Sequence, residues 1–224
     1  GFVRGRASDG TWRTPFDPFK ALHMQSDFTE GNAWQYTWLV PQDPHGLIEM
    51  LGGKDAFIAK LDEFFVAEGD LGPNANDVTG LVGQYAHGNE PSHHIAYFYN
   101  YVGQPEKCAE KVRHIMDKLY FDNHEGVCGN EDAGQMSAWY VLSSVGLYQV
   151  DPAKGEFQFG SPAVRKAVLN VGDGKTFTVV AKDNSPENIY IKSATLNGKL
   201  LDRTSITYDE IKAGGVLEFQ MASK

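Results

Sequence analysis

The hydrophobic rhythm of the chain changes near residue 150, and few folds accommodate that change. Before it, apolar residues recur at three- and four-residue spacing: Phe57, Ile58, Leu61, Phe64 and Phe65 follow Gly53, and Cys108, Val112, Ile115, Met116 and Leu119 follow Pro105. That spacing lines one face of a helix. Proline suits the first turn, because its φ is already helical and its missing N–H would have no partner there. Further helices are expected at about 31–40, 44–51, 91–101 and 134–145, with Asp43 capping one and Ser92 capping the helix of His93 and His94. Short loops rich in Gly, Pro and Asn join them, which predicts antiparallel helical hairpins.

After residue 150 the pattern shortens. The runs at 176–180 and 188–191 are β-branched and aromatic, and Val216 to Met221 alternates, so each reads as a strand. Asn197-Gly198 signals a hairpin turn, since both residues accept positive φ. The expected fold is mainly α with a β tail: helical hairpins over 1–150 and a small antiparallel β-domain over 151–224.

Chemistry is expected in the helical part. All seven histidines and all four tryptophans lie there, as do both cysteines, Cys108 and Cys128, whose pairing the spacing leaves open. The net charge of -9 repels phosphate backbones and anionic membranes, which argues against nucleic-acid binding. No apolar run reaches the length of a membrane span. The opening Gly-Phe-Val-Arg, without Met or a signal-peptide pattern, reads as part of a longer protein.

Three clusters combine carboxylates, amides and aromatics in Gly-punctuated loops. They are Thr29-Glu30-Gly31-Asn32-Ala33-Trp34-Gln35-Tyr36, then His87-Gly88-Asn89-Glu90-Pro91-Ser92-His93-His94, and Cys128-Gly129-Asn130-Glu131-Asp132-Ala133-Gly134-Gln135-Met136. A Glu in the first and an Asp in the third suit an acid and a base flanking one glycosidic bond. Trp34, Tyr36 and Trp139 offer ring faces for a sugar. Oxygen ligands such as Asn89, Glu90 and Asp132 suit a hard cation. Each cluster also has a plain structural role open to it: Glu30 and Glu131 as helix N-terminal acids, Asn89 as a turn residue. His93 and His94 cannot both point one way on a helix.

At these clusters the sequence resembles glycoside hydrolase family ninety-two, the bacterial exo-α-mannosidases. The match runs through Gly-Phe-Val-Arg, Glu30 to Tyr36, Asp77 to Gly80, Gly88 to His94, Gly129 to Asp132, Gly134 to Tyr140, Phe159 to Pro162 and Ile189 to Gly198. The resemblance implies an N-terminal β-sandwich and a toroid of six helical hairpins, an (α/α) barrel, of which this chain would supply the last part and the C-terminal strands. It implies inverting hydrolysis of terminal α-mannosides with Ca²⁺ at the sugar, α-1,2 bonds being the leading expectation. Glu30 matches the general acid and Asp132 the general base, with Asn89, Glu90 and Asp132 at the metal and Trp34, His87, His93 and Asn130 as sugar contacts. Asn130 stands where the family often has a second aspartate, which shifts the base role wholly to Asp132. The implied partners are a mannose-containing oligosaccharide, as in N-glycan degradation, and an N-terminal region or companion chain of the same enzyme. The implied location is periplasmic or secreted. A calcium-dependent, non-catalytic mannose lectin is the alternative; it would keep Asn89 and Glu90 but has no use for an acid such as Glu30.

Overall fold

A computed structural model describes residues 1–23, 25–73 and 75–224. The chain packs as two units, Gly1–His93 with Phe121–Ala133, and His94–Tyr120 with Gly134–Lys224. The long helices give way to strands at Leu147, but the packing units do not follow that switch, because residues 121–133 belong with the first unit.

The first unit holds α1 (Ala33–Tyr36), α2 (Pro44–Met50), α3 (Lys54–Phe64) and a short hairpin of β1 (Leu81–Val82) with β2 (Tyr85–Ala86). Asp43 caps α2 through the Gly46 N–H at 2.9 Å, with Pro44 in the first turn, as the sequence predicts. The first helix is much shorter than the expected 31–40. It runs toward Pro41, whose ring disfavours helical conformation in the residue before it. The core is aromatic: Phe57, Leu61 and Phe64 of α3 are fully buried with Trp38 and Tyr85. Trp38 meets Phe57 edge-on at 5.2 Å and Tyr85 stacks on Phe65 at 5.2 Å. Such pairs add about 0.5–1.5 kcal/mol beyond the area they bury.

The single helix expected at 91–101 is three short pieces. A 3₁₀ turn at Glu90–Ser92 closes in the first unit, and another at Ile95–Tyr97 leads into α4 (Phe98–Tyr101) in the second. Residues 92 to 100 are all buried, so packing on every side rather than one apolar face sets their path. Ser92 caps nothing; its hydroxyl accepts the Ala86 N–H at 3.3 Å.

The second unit carries α5 (Pro105–Lys118) and α6 (Gln135–Val145), then β3 (Leu147–Tyr148), β4 (Glu156–Phe159), β5 (Lys166–Gly172), β6 (Lys175–Lys182), β7 (Tyr190–Leu196), β8 (Lys199–Leu201), β9 (Ser205–Thr207), α7 (Tyr208–Ala213) and β10 (Gly215–Ala222). The five-stranded sheet runs β5-β6-β10-β7-β8. Leu217, Phe219 and Met221 point inward from β10 onto Phe177, Val179, Ala194 and Ile206. Asn197 and Gly198, at φ 51° and 79°, turn β7 into β8 as expected.

The expectation of a wholly antiparallel sheet fails at one pair. The closing strand inserts between β6 and β7, antiparallel to β7 but parallel to β6. A hydrophobic alternation specifies which face is buried, and it is silent on which neighbour a late strand chooses. Arg113 ties α5 to the β segment through the Ser161 hydroxyl and the Asn184 side-chain oxygen, both at 3.2 Å, and the Pro162 carbonyl. Cys108 is buried here and Cys128 half-buried in the first unit; both are free thiols.

Candidate active site

Four loops of the first unit meet, three of them packed closely through glycines and the fourth joined by a side chain. The Gly88 N–H donates to the Thr79 carbonyl and the His87 N–H to the Gly80 carbonyl, both at 3.1 Å. A Cβ on Gly129 would stand 2.5 Å from the Gly88 carbonyl oxygen and 2.7 Å from its Cα, so loop 128–132 lies backbone-to-backbone on loop 87–90. A Cβ on Gly80 would overlap the Cys128 sulfur, and one on Gly88 the Thr79 hydroxyl. The fourth loop, 29–31, is joined by Asn89, whose Nδ2 donates to the Glu30 carbonyl at 2.8 Å. Just beyond it, Asn32 caps α1, and its side chain also donates to Gln84 Oε1 at 2.9 Å, while Gln35 Nε2 donates to the Gln84 carbonyl at 2.7 Å. Those buried bonds fix Glu30 two residues before a rigid cap.

The expected acid and base both lie in left-handed backbone, as do Asp173, Asp183 and Asn197 in the second unit. Glu30 has φ 53° and Asp132 φ 48°, with Ala133 at 55°. Non-glycine residues rarely adopt this left-handed region, and strained residues of this kind cluster at functional sites. Both side chains are exposed. Glu90, half-buried between them, has its pKa raised above the usual carboxylate range. Burial is the largest cause, followed by the neighbouring Asp132 carboxyl, with which it hydrogen-bonds, and by Glu30. Three acids from loops distant in sequence thus converge within electrostatic reach, and a carboxylate crowded by like charges holds its proton or takes a cation.

Three expected sugar contacts are buried. Trp34 is 3% exposed; Phe2 meets it edge-on at 4.8 Å, Phe64 stacks at 6.4 Å, and the Lys60 ammonium lies 4.8 Å from its ring centre. No ring face is left for a sugar. His87 is fully buried, with Nδ1 bonded to the Tyr85 hydroxyl at 2.7 Å. His93 is 2% exposed, its Nε2 bonded to the His87 carbonyl at 2.9 Å. Burial holds both imidazoles below their ordinary pKa, His93 at about 4, so both are neutral braces of loop 87–90 at neutral pH. His94 packs separately, edge-on to Phe98 at 4.9 Å. Asn130 is exposed in loop 128–132.

Sequence reasoning passed over His23 and Asp77. Their ligand atoms and one of Glu30 all lie within 4.8 Å of one another. No local spacing signals this, because the three residues come from separate loops.

Three carboxyl groups brought together on loops pinned through glycines suit the two-carboxylate chemistry of glycoside hydrolysis. The chain belongs to glycosyl hydrolase family 92: the family's catalytic-domain model matches residues 1–223. A family GH92 α-mannosidase of Bacteroides thetaiotaomicron, solved with mannoimidazole, is 42% identical with a TM-score of 0.93, covering 100% of this chain and 30% of that one. A GH92 inverting mannosidase of the same organism is 41% identical with a TM-score of 0.86, covering 100% of this chain and 31% of that one. A secreted glycosidase of Arthroderma benhamiae, itself uncharacterized, is 30% identical over 236 residues, 100% of this chain and 28% of its own length. The chain therefore spans under a third of the length of these relatives.

Proposed function

We propose that the protein to which this chain belongs hydrolyses terminal α-mannosidic bonds with inversion, and that this chain supplies the acid and the base. The observation that carries the reading is the convergence of Glu30, Glu90 and Asp132 on one site, with Glu30 and Asp132 both held at left-handed φ. The printed descriptions of two related structures, an α-mannosidase and an inverting mannosidase, support the substrate class and the stereochemistry.

In this reading Glu30 protonates the leaving-group oxygen while Asp132 takes a proton from the water that attacks the opposite face of the sugar ring. Inversion needs room for that water, so the two carboxyl groups should stand roughly 6.5–9.5 Å apart once a mannoside is bound. Asn89 keeps the Glu30 peptide in place, which orients the acid. Asn130 is left to bind sugar hydroxyls.

The all-oxygen character of Asn89, Glu90 and Asp132, with Glu90 already burdened by neighbouring negative charge, fits a hard cation. These three residues would hold Ca²⁺. When bound, it supplies Lewis-acid and template assistance toward the mannose O2 and O3 hydroxyls. A lectin-like role has no observation in its favour, because it leaves the exposed, strained Glu30 without a task.

The helices of residues 1–150 are read as the last part of a six-hairpin toroid that an N-terminal region completes. The proposed location is the periplasm or the cell exterior; the description of the Arthroderma relative as secreted supports export. Mannose oligosaccharides of the N-glycan type are the proposed substrates, α-1,2-linked ones first. Proton NMR of the first-formed sugar tests the proposal on the full-length protein: an α-mannoside should release β-mannose before mutarotation. Release of α-mannose, or no mannose at all, overturns it.

A further inference from the structure

Beside the all-oxygen set lies a second group of ligands with different chemistry. His23, Glu30 and Asp77 each bring one ligand atom into a cluster no more than 4.8 Å across. Among the described residues it is the one group of three or more His, Cys, Asp or Glu side chains that meets this spacing. The His23 Nδ1 is shielded from solvent and has no hydrogen-bond partner among the described residues. A buried imidazole nitrogen without a partner loses the free energy of that bond unless something fills its place. Two carboxylates beside the His23 ring supply the negative charge that a cation needs.

One imidazole nitrogen and two carboxylate oxygens suit first-row dications, zinc among them, because the nitrogen donor favours them over Ca²⁺. We propose that His23, Glu30 and Asp77 form a dication site of the zinc class, distinct from the oxygen ligands Asn89, Glu90 and Asp132. Occupancy takes the lone pairs of the Glu30 carboxyl group, which then cannot carry the proton that the leaving group needs. The metal is thus a reversible inhibitor, bound at the acid and removable by a chelator. The binding half of the proposal stands on the cluster alone. The inhibition half rests on the reading of Glu30 as the general acid.

The test uses the full-length protein kept in saturating Ca²⁺, titrated with Zn²⁺ by calorimetry and with Co²⁺ as a visible-absorbance probe. One equivalent should bind, with the Co²⁺ spectrum of a low-coordinate site containing nitrogen. His23→Gln and the isosteric Asp77→Asn should each weaken binding by about tenfold or more, in line with or beyond the cost of losing a supporting ligand. Either variant suffices if the other does not fold. No uptake by the wild type, or equal affinity in every folded variant, overturns the site. Mannosidase assays on the same samples separate the two halves. Zn²⁺ should inhibit the wild type in proportion to the occupancy seen by calorimetry. Binding with full activity retained would keep the site but sink the inhibition, and with it the assignment of Glu30 as acid.

Discussion

Replacing Gly129 by alanine places a methyl group against the backbone of Gly88, and the structure sets how far the two loops must part. The new Cβ would lie 2.7 Å from Gly88 Cα and 2.5 Å from its carbonyl oxygen. Carbon atoms meet comfortably near ~3.5 Å, so roughly 0.8 Å has to be found. The neighbour is backbone, already bonded to Thr79, and no side chain can swing aside to supply the space. Loop 128–132 carries Asp132 and loop 87–90 carries Asn89 and Glu90, so the displacement moves the proposed base relative to Asn89 and Glu90. Overpacking of this kind costs about 1–3 kcal/mol of stability. A shift approaching 1 Å at a catalytic group can cost on the order of a hundredfold in rate. Gly129→Ala should therefore remain folded by circular dichroism while kcat/KM on an α-mannoside falls by tens- to a hundredfold. A variant with wild-type kcat/KM would refute the claim that glycine contact sets the geometry of the site.

Other expectations follow from residues around the site. His93, with its pKa pressed down to about 4 by burial, resists protonation in the folded state while the unfolded chain takes up a proton near 6.5. Its contribution is present above about pH 6.5 and lost as pH falls toward 4, by about 3 kcal/mol; denaturant midpoints across that range should show the loss, and His93→Gln should flatten it. Trp34→Phe should lower stability but leave KM for mannosides unchanged, because the ring is core; a large rise in KM would restore it as a sugar contact. Chelation should abolish activity, and Ca²⁺ should restore it better than Mg²⁺, whose strict octahedral demand suits sugar hydroxyls poorly; full activity of a metal-free preparation would remove the cation from the account.

The elements most legible in the sequence were those with a local cause. The Asp43-Pro44 start of α2, the amphipathic run of α5 and the Asn197-Gly198 turn each follow from neighbours a few residues apart. Loops carrying Glu30, Glu90 and Asp132 were legible as clusters of carboxylates among glycines, and the fold brings those three carboxyl groups near one another. Burial was not legible. Trp34, His87 and His93 sit in the same clusters as the exposed acids, and only packing separates a ring inside from one that greets a ligand. Nor was long-range pairing: the insertion of β10 between β6 and β7, and the meeting of His23 with Asp77, depend on how distant loops close.

The central claim is that Glu30 is the general acid, and the leaving-group dependence of Glu30→Gln in the full-length protein tests it most directly. Glutamine keeps the shape of the side chain but cannot give up a proton. Cleavage of a natural mannobiose should fall by about a hundred- to ten-thousandfold. Cleavage of α-mannosyl fluoride, whose leaving group needs no protonation, should be largely spared. Near wild-type hydrolysis of the disaccharide, or an equal loss on both substrates, would contradict the account.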